Sequence, residues 1–126
     1  MLVIDDNESF SAFIKAAFED EFDLAICQDG EEGIACAENS VPDIILLDVN
    51  MPGLSGIEVI KRLLSRPETR RIPVLVLSAT DYNIGTESLF RREKNVRGFL
   101  TKLAPVNSMK ELILKNLRDK KESPDD

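Results

Sequence analysis

Histidine is absent from this chain of 126 residues. That excludes Ser-His-Asp and Cys-His catalysis and any imidazole metal site, so chemistry here must run on carboxylates, hydroxyls and lysines. Cysteine is scarce. Cys27 and Cys36 are the only two; they form no C-x-x-C and fit no common zinc or redox spacing, so they read as small buried hydrophobes in a reducing cytoplasm. No apolar run approaches the ~20 residues of a membrane-spanning helix. No basic stretch leads into an apolar one, as it would in a secretion signal. Net positive charge is missing as well: the formal charge is −7. An acidic surface repels phosphates, so neither nucleic acid nor membrane is an expected partner, and the expected location is cytoplasmic.

Apolar residues make up 43% of the chain and charged ones 31%, the balance of a globular protein. The length suits one domain with a core of its own. Apolar runs alternate with amphipathic stretches throughout, without internal repeats. Residues 2–5 ("LVID") form a short strand, followed by a helix with Phe10, Phe13, Ile14, Ala17 and Phe18 at helical spacing. "FDLAICQDG" reads as a second strand, and "EEGIACAENS" as a short helix weakened by Gly33. "IILL" (44–47) and "IPVLVL" (72–77) are continuously apolar, as strands covered on both faces are. "GIEVIKRLLS" lies between them, with Ile57, Ile60, Leu63 and Leu64 on one face. Then come a helix over "TESLFRREKN", a strand over "VRGFLTK", and a last helix burying Val106, Met109, Leu112, Ile113 and Leu117. This is β-α five times over: an α/β domain of residues 1–118, with a polar tail or linker start at 119–126. Such alternation implies a parallel sheet with helices on both faces and a ligand site beyond the C-terminal strand ends.

Those strand ends carry Asp5-Asp6, Asp48, Ser78 and Lys102. Singly, each has a plain structural account. Asp5, Asp6 or Asn7 can cap the first helix, Asp48 can start an Asx-turn, Ser78 can cap a helix, and Lys102 can be a solvated lysine. Together they are harder to dismiss. Three carboxylates at one edge repel one another unless a cation intervenes. Oxygen ligands alone favour a hard ion, Mg²⁺ or Mn²⁺. A hard cation, a lysine, a hydroxyl and a nucleophilic carboxylate together form a landing place for a phosphoryl group.

At this point the chain resembles the receiver domains of two-component response regulators, of the chemotaxis-regulator type. "VIDDN", "DIILLDVNMPGLSG", "VLVLSA" and "GFLTK" fall in the family's order across nearly the whole chain. The resemblance implies a flavodoxin-like, doubly wound fold with strand order 2-1-3-4-5. It implies Asp48 as phosphoacceptor, Asp5 and Asp6 as metal-binding acids beside Asp48, and Asn50 giving a backbone carbonyl to the metal. Lys102 would pair with Asp48 and then with the phosphoryl oxygens. Ser78 and the aromatic Phe99 would be the switch residues. The implied partners are a histidine kinase or phosphotransfer protein and an output domain or downstream protein; self-association is left open. Catalysis would be limited to the domain's own phosphorylation and dephosphorylation.

Two departures stand out. The family usually has Pro after the lysine, whereas this chain reads Lys102-Leu103-Ala104-Pro105. A trans Lys102–Leu103 bond is therefore expected, since a non-proline cis bond costs ~3 kcal/mol. The segment between the fourth and fifth strands is also long. Rival readings fit less well. A Mg²⁺-dependent phosphatase with an aspartyl nucleophile, of the haloacid-dehalogenase type, needs an acid where Asn50 stands. A flavodoxin needs a phosphate cradle where "DDNESF" is acidic. A docking receiver that is never phosphorylated should have lost one of the acids or the lysine.

Overall fold

The structure is a computed structural model. It describes residues 1–49, 55–78 and 84–122, with side chains for all but 84–87 and 119–122. The elements run β1 (Leu2–Ile4), α1 (Glu8–Phe18), β2 (Ala25–Cys27), α2 (Gly30–Ser40), β3 (Ile45–Asp48), α3 (Gly56–Leu64), β4 (Val74–Ser78), α4 (Ile84–Arg91), β5 (Val96–Thr101) and α5 (Val106–Glu122). The sheet is parallel throughout, in the order β2-β1-β3-β4-β5. The expected class and strand order both hold.

Strands β1, β3 and β4 are buried on every residue, as their unbroken apolar runs require. Alternation sorts their side chains onto two faces. Leu2, Ile4, Ile45, Leu47, Val74 and Val76 face α2, α3 and α4, packing with Ile34, Ala37, Val59, Ile60, Leu63 and Phe90. Val3, Leu46, Leu75, Leu77 and Leu100 face α1 and α5, packing with Phe10, Ile14, Phe18, Met109 and Ile113.

Helix starts follow short polar side chains that accept a backbone N–H. Asn7 accepts from Phe10 at 2.9 Å, Asp29 from Glu32 at 2.8 Å, and Ser55 from Glu58 at 3.3 Å. Gly33 is a close-packing residue rather than a weakness: a Cβ there would lie 2.4 Å from Ile4 Cδ1 and 2.7 Å from its Cγ1, so only glycine lets α2 settle on β1. α2 ends on Val41, held in the left-handed region at φ 43°.

Three expectations need correcting. Phe13 is 43% exposed, because it sits at the edge of the helix stripe and meets Phe10 rather than the sheet. α4 spans Ile84–Arg91, earlier than expected, and the "REKN" stretch turns into β5. α5 continues to Glu122, into the stretch expected as tail; Arg118 to Glu122 includes no glycine or proline, so helix propensity carries the backbone past the last apolar contact. No peptide bond among the described residues is cis, as expected for Lys102–Leu103. Among the described residues, no helix is long and apolar enough to cross a membrane.

Candidate functional site

Parallel strands deliver their last residues to one edge. Asp5 follows β1, Asp48 and Ser78 end β3 and β4, and Lys102 follows β5. Alternation then decides which of these meet. Asp5 continues the row of Val3, Asp48 that of Leu46, and Lys102 that of Leu100, so all three belong to the α1–α5 face. Ser78 continues the row of Val76 on the opposite face, which Phe99 also joins.

The geometry agrees. Lys102 Nζ lies 2.8 Å from Asp5 Oδ2 and 3.4 Å from Asp48 Oδ2. It also stands 5.0 Å from the ring centroid of Phe10 on α1. The backbone N–H of Lys102 donates to Ser78 O at 2.8 Å, which fixes the base of the lysine against the end of β4. Asp5 is fully buried and Asp48 is 2% exposed. Burying such charges costs several kcal/mol each unless they are paired, and here they share one ammonium.

Helix capping does not consume the acidic pair, because Asn7 takes that role. Asp5 Oδ1 instead accepts the Asn7 N–H at 2.8 Å, bracing the loop. Asp6 is left exposed at the mouth. Carboxylate oxygens of Asp5, Asp6 and Asp48 all lie within 4.8 Å of one another. Three carboxylates against one lysine leave negative charge in excess, and the donors are oxygens only. This suits a hard divalent cation.

The neighbouring thiol offers no rival nucleophile. Cys27, at the end of β2, is pushed up to about 12, first by burial and then by Cys36 and Glu32.

Residues 1–114 match the family described as the response regulator receiver domain. The chain belongs to that family.

Relatives extend the match. This receiver is 30% identical over 118 residues to protein PilH of Pseudomonas aeruginosa, covering 93% of each chain. It is 40% identical over 82 residues to the response regulator PleD of Caulobacter vibrioides, covering 64% of this chain and 18% of PleD. Thus it spans only a small part of that longer regulator. Among solved structures, the receiver domain of the sensor histidine kinase PA1611 from Pseudomonas aeruginosa superposes with a TM-score of 0.83 at 20% identity. That match covers 93% of this chain and 95% of the other.

Of the residues singled out from sequence, Asp5, Asp6, Asp48 and Lys102 form one cluster. Ser78 stands at the same edge on the other face, 7% exposed. Phe99 is half-buried, with Arg91 of α4 4.8 Å from its ring centroid. Asn50 lies outside the described residues. Sequence reasoning missed Phe10 beneath Lys102 and Arg91 against Phe99. Both sit on helices as ordinary periodic or polar residues, and only the packing shows what they touch.

Proposed function

We propose that this receiver accepts a phosphoryl group on Asp48 from the phosphohistidine of a partner histidine kinase or phosphotransfer protein, in a Mg²⁺-dependent reaction. The observation that carries this reading is Lys102 Nζ held between Asp5 and Asp48, with Asp6 completing the three-carboxylate cluster. An Asp48 oxygen forms a bond to phosphorus while the phosphorus–nitrogen bond of the donor imidazole breaks, its electron pair returning to that nitrogen. Lys102 neutralises charge on the transferred oxygens. Ser78 donates a hydrogen bond to the phosphoryl group.

The donor set fits Mg²⁺, which would be held by Asp6 and Asp48 with Asp5 behind them, and by the backbone carbonyl of Asn50 as the family resemblance implies. The magnesium in the PA1611 receiver's active-site cleft belongs to that protein and lends the reading support. When bound, the ion supplies charge neutralisation on the phosphoryl oxygens.

Two surfaces extend the proposal. Leu103 is 82% exposed and Phe13 43% exposed; the first follows Lys102 and the second lies beside Phe10, so both offer apolar contact to an incoming donor near the cluster. Ser78 and Phe99 share the sheet face toward α4, so a hydroxyl drawn to a phosphoryl group at the edge is coupled to the aromatic two residues along the neighbouring strand. The output is then a shift between two states of the α4–β5 face, read by an output domain or partner protein.

The test is intact-mass measurement after incubation with Mg²⁺ and a small acyl phosphate. One phosphoryl group should add to the wild-type chain and none to Asp48→Asn. No adduct in the wild type, or an undiminished one in the variant, contradicts the assignment.

A further inference from the structure

Four cations gather at the edge of the sheet opposite the acidic cluster. Arg70 and Arg71 lie on the loop between α3 and β4, and Lys94 and Arg97 lie at the entry to β5. With Leu64 they line a cleft of about 640 Å³, within the size range of small-molecule sites. All four are exposed. In a chain of net charge −7 this concentration runs against the overall field, and Arg70, Lys94 and Arg97 together favour an anion between them.

The loops carrying them are pinned from beneath. Thr69, fully buried, donates from Oγ1 to Leu63 O at 2.6 Å, and the Arg70 N–H donates to Arg66 O at 2.9 Å. Asn95, 2% exposed, ties the other loop down: its Nδ2 donates to Ile60 O at 3.3 Å, and its backbone carbonyl accepts the Val74 N–H at 2.8 Å. Arg97 is re-aimed by a register break. Val74 pairs with Val96 but Leu75 pairs with Gly98, so Arg97 is the extra residue of a β-bulge. Its Nε donates to Lys94 O at 3.0 Å, which holds the guanidinium while leaving its terminal nitrogens available. Among the described residues, no carboxylate pairs with Arg70, Lys94 or Arg97, although Arg62 and Arg66 nearby are both paired with acids.

We infer that this cleft binds a small polyanion carrying two or more phosphate or carboxylate groups. Preorganised cations on pinned loops lower the ordering cost of such a ligand, and the guanidiniums match phosphate and carboxylate oxygens in pairs. The cleft lies at the N-terminal ends of β4 and β5, whose C-terminal ends lead to Ser78 and Lys102, so the two sites can be filled together.

The experiment is a backbone NMR titration of the whole chain with inorganic triphosphate, citrate and a short oligoglutamate peptide as separate probes. The buffer is metal-free and holds no chelator, since a chelator is itself a polyanion. Triphosphate or citrate should give saturable shifts at the amides of Arg70, Arg71, Lys94, Arg97 and Gly98. Which of the two binds tighter distinguishes phosphate from carboxylate chemistry. The exposed double variant Arg70→Gln/Arg97→Gln should weaken binding by about tenfold or more, with phosphorylation of Asp48 unchanged. Non-saturable shifts, equal binding by the double variant, or saturation by the peptide alone would each overturn the proposal; the last would make the cleft a protein-docking face.

Discussion

At the C-terminal edge of the sheet two carboxylates are buried, and the lysine between them is only 13% exposed, so each charge depends on the others. At the N-terminal edge four exposed cations surround a cleft, on segments fixed by backbone and by the buried polar side chains of Thr69 and Asn95. One edge concentrates charge by desolvating it, the other by shaping loops. The first arrangement should be energetically brittle and the second tolerant, because desolvated charges lose stability when a partner is removed and solvated ones do not.

Removing the lysine breaks the brittle edge hardest. Lys102→Met in metal-free buffer should destabilise the fold by about 3 kcal/mol or more, measured by urea unfolding, since it removes the ammonium that two buried carboxylates share. A loss below about 1 kcal/mol, the range of exposed pairs, would erase the contrast between the edges. Metal should act on the same edge. Mg²⁺ at a hundred times its dissociation constant should add ~2.7 kcal/mol to stability, and Asp6→Asn should remove most of that gain, read as the shift in Tm.

The tolerant edge should even improve on substitution. Val41 is a β-branched residue in the left-handed region and 45% exposed. Val41→Asn should therefore stabilise the fold by up to ~1 kcal/mol in the same unfolding assay. Smallest of all, Arg70→Gln/Arg97→Gln should change stability by no more than ~0.5 kcal/mol, as exposed surface substitutions do. A large loss there would show that these arginines hold the fold together rather than await a ligand.

The same contrast explains what the sequence made legible. Buried strands announce themselves: "IILL" and "VLVL" can hardly be anything else in a chain of this alternation, and the residue ending each strand is carried to a known edge. That made Asp5, Asp6, Asp48 and Lys102 readable as one cluster. Pairing distances were not readable. The family likeness implied Lys102 against Asp48, and Lys102 does reach it, yet Asp5, braced by the Asn7 amide, is the nearer partner. Gly33 looked like a helix defect because its reason, the Ile4 side chain, lies on another element. The cationic cleft was invisible for a related cause. Its cations come as two short groups far apart in the chain, Arg70 with Arg71 before β4 and Lys94 with Arg97 around the start of β5, and a β-bulge, which no hydrophobic pattern encodes, aims Arg97.

The central claim is that Asp48, and neither Asp5 nor Asp6, receives the phosphoryl group beside Lys102. Borohydride reduction of the chain after acyl-phosphate treatment converts a phosphorylated aspartate to homoserine, which tandem mass spectrometry can locate. Homoserine at Asp48, appearing with Mg²⁺ and not in metal-free buffer, is the predicted result. Homoserine at Asp5 or Asp6, or equal conversion of Asp48 without the metal, would contradict it.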